Sequence, residues 1–168
     1  MVRAHGWRRD TDNYDMSFYG RYTFYDLGYN LRPTEITGLL GVIQLPFLNE
    51  IILKREENMD FMVECYDSPD VYYYKHKDYN HFSSFCFPFV CKTQEKKDEI
   101  LWKLEGNVEA RPIVGGNITQ QPFFRKYIGE HDCPNAALVH QNGFYIGNNP
   151  DLTREELQLM KDTLCLSY

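Results

Sequence analysis

The sequence predicts an α/β (α+β) fold in which a long helical connector leads into a small sheet with flanking helices. Three observations predict it. Apolar residues recur at helical spacing between Pro33 and Tyr66. Beyond residue 70, aromatic and β-branched runs alternate with turn residues and helix caps. The chain has 168 residues, 43% hydrophobic and 25% charged, which suits one domain or one and a half with a real core.

The first 32 residues show little periodicity, and a loop of that length packs on something or carries function. Pro33 starts a helix, since proline suits the first helical position, and Glu35 favours the positive end of the dipole. Ile36, Leu39, Leu40 and Ile43 follow at helical spacing. Pro46 kinks or restarts the helix. The next segment, Phe47 to about Tyr66, sets Leu48, Ile51, Ile52, Met59, Met62 and Val63 on one broad face, with the methionines in the core. Ser68-Pro69-Asp70 ends it.

Val71–Tyr74 and Phe82–Val90 read as strands, and the alternation of a strand makes Tyr72, Tyr73 and Tyr74 sheet packing rather than a stacking ladder. Thr93 caps a helix to Leu104, closed by Gly106-Asn107, with Lys96 and Lys97 on a solvated face. Val108–Val114 reads as a strand and Gly115-Gly116-Asn117 as a turn. Asn135 caps a helix through His140, Phe144–Ile146 is a short strand, and Thr153 with Glu156 forms a capping box for the last helix.

Net charge is -6, so a nucleic-acid backbone is excluded as a partner and an anionic ligand needs a local basic site. The five cysteines form no CxxC and no disulfide framework, and read as reduced thiols of a cytoplasmic protein. No contiguous run approaches 18 apolar residues, so no transmembrane helix and no membrane partner are expected. His76, His81, His131 and His140 lack metal-ligand spacing.

Three stretches, in order along the chain, resemble the DegT family of nucleotide-sugar aminotransferases and dehydratases, which use pyridoxal phosphate (PLP). Ala4-His5-Gly6-Trp7 with Arg8 and Arg9 is similar to the His-Gly loop that follows the family's cofactor domain. Gly28-Tyr29-Asn30-Leu31-Arg32-Pro33-Thr34-Glu35-Ile36, continued by Gly41–Leu45 and Lys54-Arg55, resembles its GYN-x-R-x-x-E segment. Glu109–Asn117, Gln121-Pro122 and Gly143–Asn148 are similar to its nucleotide-sugar-binding C-terminal part. An Arg-Pro followed by a Gly-Asn resembles the GDP-4-keto-6-deoxymannose 3-dehydratase branch. No cysteine lies between His5 and Asn30, where the family's iron–sulfur branch carries a cysteine-rich insertion.

The resemblance implies the C-terminal part of a type I PLP aminotransferase fold. Residues 1–66 would be a remnant of the large domain, and 67–168 the small domain. It places the catalytic lysine or histidine upstream of the chain, so no catalytic residue is expected here unless His5 takes part. It assigns Asn30 to the PLP phosphate across a homodimer; the plain alternative is an ordinary turn asparagine. Arg111 would pair a nucleotide-sugar diphosphate, as guanidinium forks do, with Pro112 keeping its backbone extended; the alternative is a surface ion pair. Asn117 would approach the same ligand or simply close a hairpin. His5 and Arg9 are further substrate-binding candidates, with Arg8 competing for the role of Arg9.

The implied activity is transamination of a 4-keto-6-deoxy sugar, or removal of its C3 hydroxyl, in lipopolysaccharide or surface-glycan synthesis. The chain by itself would hold no covalent PLP and be inactive. Its partners would be a nucleotide-diphosphate sugar and a second subunit or the missing N-terminal cofactor domain. A non-catalytic nucleotide-sugar-binding or docking module is the other reading.

Overall fold

The computed structural model describes residues 5–7, 15–29, 34–72 and 82–165. They form two compact units, one from the described parts of Met1–Gly38 and Arg111–Gln141, the other from those of Leu39–Ala110 and Asn142–Tyr168.

Helix α1 (Glu35–Gln44) carries its acidic residue in the first turn, as the dipole favours. Pro46 falls in a 3-10 turn, Leu45–Phe47, from which α2 (Leu48–Met62) restarts and runs into a second such turn, Val63–Tyr66. Helix α1 buries no residue. Ile36, Leu39, Leu40, Val42 and Ile43 stand exposed, followed by Leu45, Phe47, Leu48 and Leu53. The end of α2 reaches the core, where Met59 and Met62 are fully buried. The helical run Glu35–Tyr66 attains a mean hydropathy of 1.7 over 18 residues with none of that window buried. By length and composition it qualifies as a membrane span, which the sequence reading had excluded. Gln44, Asn49 and Glu50 break every contiguous apolar run yet leave the average high.

The core of the second unit is an antiparallel pair. Strand β1 (Cys86–Val90) pairs with β3 (Gly143–Gly147), from Cys86 opposite Gly147 to Val90 opposite Gly143. A two-residue β2 (Ala110–Arg111) completes the order β1-β3-β2. Phe89 stacks on Phe144 at 5.4 Å and on Tyr66 at 4.6 Å, giving the sheet an aromatic layer under the end of α2. Helix α3 (Gln94–Leu104) starts at Thr93, whose hydroxyl accepts the Lys96 N–H. Helix α6 (Arg154–Leu164) starts with the full Thr153–Glu156 capping box that the sequence predicts.

The structure corrects several local readings. Of the expected strand Val71–Tyr74, Val71 makes a lone bridge to Cys91 and Tyr72 is exposed; residues 73–81 lie outside the described part. The expected strand Val108–Val114 shrinks to Ala110–Arg111, because Pro112 has no N–H to extend the ladder. Helix α4 (Pro122–Tyr127) was not foreseen. Helix α5 (Pro134–Asn142) starts at Pro134, one residue before the expected cap Asn135.

Lys97 is not on a solvated face. It is 2% exposed and shares the inner side of α3 with Ile100 and Leu104. Its aliphatic stem makes such burial affordable while the amine sits 3.8 Å from Asp98. Cys65 and Cys165 form a disulfide across a sequence separation of 100, against the expectation that every cysteine is reduced. The turn after α2 and the end of α6 meet only in the folded chain, so sequence spacing gave no sign of it. Cys86 and Cys91 are free and buried, and burial pushes the Cys91 thiol up to about 11.

Candidate functional site

The site assembles within the first unit, and two glycine positions begin it. His5 and Gly6 adopt left-handed backbone, φ 59° and 80°. A Cβ on Gly6 would collide with the Asp26 carbonyl, and one on Gly28 with the Gly6 nitrogen. The His-Gly loop and the segment before Asn30 are therefore pressed backbone to backbone, which requires glycine on both sides. The Tyr25 N–H donates to Gly6 O at 3.0 Å, and Trp7 bridges Phe24. The Trp7 indole N–H donates to Arg21 O at 2.7 Å, and its ring stacks on Tyr22 at 5.5 Å.

Gln121 joins this segment to the Gly-Gly-Asn turn. Its Oε1 accepts the Phe24 N–H at 3.0 Å, and its Nε2 donates to Tyr22 O at 3.1 Å and Gly115 O at 2.7 Å. The side chain is buried, so each bond replaces one that water would otherwise supply. The turn is tight. The Gly116 N–H donates to Ile113 O at 2.8 Å, with Val114 at φ 41° and Gly116 at φ 62°. A β-branched residue with positive φ is strained and persists only where the surroundings hold it.

His140, in the last turn of α5, packs directly on Gly116, where a Cβ would overlap its Nδ1. That Nδ1 accepts the Asn117 N–H at 3.3 Å. Tyr19 packs its ring on the imidazole at 4.7 Å, and its hydroxyl donates to the His140 and Gln141 carbonyls at 2.8 and 3.1 Å. Its one hydrogen is shared between two carbonyls that a helix end leaves open.

Tyr19, Tyr22, Pro112, Gly115, Gly116 and His140 are among the walls of a cleft of about 210 Å³. That space admits a diphosphate or a single ring, not a whole nucleotide sugar. Arg111 is exposed at the neighbouring strand edge and donates to the Tyr22 hydroxyl at 3.3 Å. No carboxylate is among the described lining residues. A second cavity, about 200 Å³ in the other unit, lies beside the Cys65–Cys165 disulfide. Its Lys96 is already paired with Asp70 at 3.2 Å, which leaves that cation committed.

Of the residues singled out from sequence, neither Arg111 nor Asn117 lines this cleft; Arg111 bonds to its wall residue Tyr22, and Asn117 follows its wall residue Gly116. Asn117 is buried, and its Oδ1 accepts both the Thr119 N–H at 3.0 Å and the Thr119 hydroxyl at 2.8 Å. Its side-chain oxygen thus caps a short turn, and its backbone N–H is held by His140. His5 is exposed in the first loop. Arg9 and Asn30, and the competing Arg8, lie outside the described residues. Sequence reasoning gave no role to Gln121, Tyr19 or His140. Gln121 lay inside a quoted stretch, but nothing local marks its three backbone partners. His140 was set aside because its spacing suited no metal, a test blind to a backbone N–H as the partner.

The DegT/DnrJ/EryC1/StrS aminotransferase family matches residues 1–164. The GDP-4-keto-6-deoxy-D-mannose 3-dehydratase of Escherichia coli O55:H7 is 28% identical over 178 aligned residues, covering 97% of this chain and 45% of that enzyme. A UDP-4-amino-4,6-dideoxy-N-acetyl-beta-L-altrosamine transaminase of Campylobacter jejuni subsp. jejuni serotype O:2 is 27% identical, covering 83% of this chain and 38% of that enzyme. The solved structure of E. coli GDP-4-keto-6-deoxy-D-mannose-3-dehydratase with bound hydrated PLP superposes with a TM-score of 0.68 at 25% identity, covering 97% of this chain and 45% of that one. The chain spans less than half the length of these relatives. With its helices and small sheet folded as in those enzymes, the chain belongs to the DegT/DnrJ/EryC1/StrS aminotransferase family and carries part of the PLP-dependent aminotransferase fold.

Proposed function

We propose that this chain supplies the sugar-nucleotide side of a PLP-dependent enzyme acting on a nucleotide-linked 4-keto-6-deoxy sugar, by transamination or by loss of the C3 hydroxyl, in lipopolysaccharide or surface-glycan synthesis in the cytoplasm. The observation that supports it is the cleft of the first unit, where the glycine backbone at 115–116 lines a space with no carboxylate among its described lining residues, and Arg111 bonds to the hydroxyl of Tyr22 in its wall. A guanidinium and approachable backbone are what a diphosphate needs. In this reading residues 1–66 belong with the large domain and 67–168 form the small one. The exposed face of α1 is covered by an N-terminal cofactor domain or a second subunit.

PLP, when bound in such an enzyme, supplies the electron sink for the chemistry. The described cleft lining contains no lysine and does not fit PLP as a covalent guest. Asn30, which the resemblance assigns to its phosphate, lies outside the described residues. This chain's own contribution is to bind and orient. Arg111 takes the diphosphate and Gln121 holds the turn against the aromatic segment, with His5 and Arg9 as further substrate-binding candidates from the sequence.

Calorimetry with GDP-mannose, on this chain and on a version joined to an upstream cofactor half, tests the reading. Arg111→Ala is expected to weaken binding about ten- to hundred-fold while sparing PLP. Unchanged affinity makes Arg111 a surface arginine. Sugar-nucleotide binding with no turnover in the joined version favours the non-catalytic binding module instead.

A further inference from the structure

We propose that His140 is a positioning residue whose unprotonated Nδ1 latches the Gly115–Asn117 turn, so that the cleft loses its shape and its affinity when the imidazole takes up a proton.

The geometry admits one tautomer. Nδ1 accepts the Asn117 N–H, so a neutral ring carries its hydrogen on Nε2. The ring cannot slide away while neutral. Tyr19 packs on it and bonds to the carbonyls of its own helix turn, and Gly116 closes against Nδ1 on the other side. The element it holds is one that needs holding, since Val114 sits at positive φ inside the same turn. Protonation puts an N–H on Nδ1 facing the N–H of Asn117, two donors with no acceptor between them. The ring or the turn must then move.

The described groups near the imidazole come from the N-terminal segment and from its own helix. Tyr19 packs on it from the N-terminal segment, Tyr22 lines the same cleft, and Arg111 bonds to the Tyr22 hydroxyl. On that segment Asp15 packs on Gly20 and accepts the Ser17 N–H, and Arg21 donates to Met16 O. The C-terminal end of α5 favours a cation on the ring as a whole. Two carbonyls of that end are already bonded to the Tyr19 hydroxyl. The helix end therefore permits the charged ring, and the Asn117 contact forbids it in this position. Two arrangements result, selected by one proton.

The latch stands on this geometry alone; its effect on a ligand rests on the sugar-nucleotide reading, and the two are separated by experiment. Amide exchange and 15N chemical shifts at Asn117 are followed in this chain from about pH 8 to about pH 5, where histidine charge changes. The Asn117 amide is expected to titrate with the His140 ring. In His140→Phe, which keeps a ring against Tyr19, that titration disappears and Asn117 exchanges about five- to ten-fold faster. His140→Asn, whose amide oxygen can accept the same N–H, restores protection without titration. If Asn117 ignores the ring's titration in the wild-type chain, the latch is overturned, whether or not the variants fold. Guanosine diphosphate is the ligand probe. Weaker binding by His140→Phe, recovered by His140→Asn, supports the functional consequence, and equal binding by all three overturns it. If guanosine diphosphate binds none of them while the exchange pattern holds, the sugar-nucleotide reading fails and the latch stands.

Discussion

Asn148 and Asn58 share a buried hydrogen bond of 3.0 Å, Asn58 Nδ2 donating to Asn148 Oδ1. Asn148 Nδ2 in turn donates to Arg55 O and Ser84 O, both at 3.0 Å. One side chain thus ties α2 to the segments before β1 and after β3. Asn148→Ala removes three buried hydrogen bonds, leaving Asn58 Nδ2 with Asn149 O alone, and is expected to cost about 3 kcal/mol. Asn148→Asp removes the donors and should cost as much. Urea unfolding followed by circular dichroism measures both; a loss below about 0.5 kcal/mol would show that the network is dispensable.

The glycines of this chain are expected to respond with opposite signs. Gly28→Ala forces a methyl into the Gly6 backbone, and Gly6→Ala adds left-handed strain, so each should loosen the first loop and lower the melting temperature. Gly38 and Gly41 lie in α1 with nothing near a new methyl. Gly38→Ala and Gly41→Ala should each stabilise the chain by about 0.5–1 kcal/mol through helix propensity. Calorimetric melting of the four variants separates packing from propensity, and a stabilising Gly28→Ala would contradict the backbone contact.

The thiols should divide three ways. Cys133 is free and exposed, and alkylates rapidly in the native chain. Cys86 and Cys91 are buried, with burial raising both thiols, and react only on unfolding. Cys65 and Cys165 react only after reduction, and opening that loop of 100 residues should lower stability by about 2–5 kcal/mol. Mass spectrometry after alkylation, with and without reductant, reads the pattern. Rapid native labelling of Cys65 would mean that the pair is open in solution.

Asp26 gives the first unit an acid limit. The Tyr127 hydroxyl at 2.7 Å, then the Leu27 N–H and the Lys126 ammonium, hold its carboxyl below the ordinary aspartate value. A depressed carboxylate stabilises the fold above its unfolded pKa, about 3.9, and loses that contribution as pH falls through the lower folded value. Asp26→Asn should therefore weaken the unit near neutrality and flatten its stability below about pH 4. Unfolding curves of both forms across that window test it; parallel curves would mean that the cluster contributes nothing.

What the sequence determined by itself is what rests on local periodicity and on motif order. The restart at Pro46, the Thr93 cap and the Thr153–Glu156 capping box each depend on neighbours within four residues, and each appears as read. The family was legible because three stretches keep their residue types and their order. What only the tertiary structure decided involves partners far apart along the chain. Gln121 reaches Tyr22 and Phe24, His140 reaches Asn117, Asn148 reaches Arg55, and Cys65 meets Cys165. None of these pairs has a period, and each forms only after two segments have been brought together. Lys97 shows the same limit from within one helix. Its charge argues for water, and the direction α3 faces, set by buried Ile100 and Leu104 where α3 packs on α6, puts it inside. A sequence displays the preferences of its residues; which preferences are overruled is decided by what the rest of the chain packs against them.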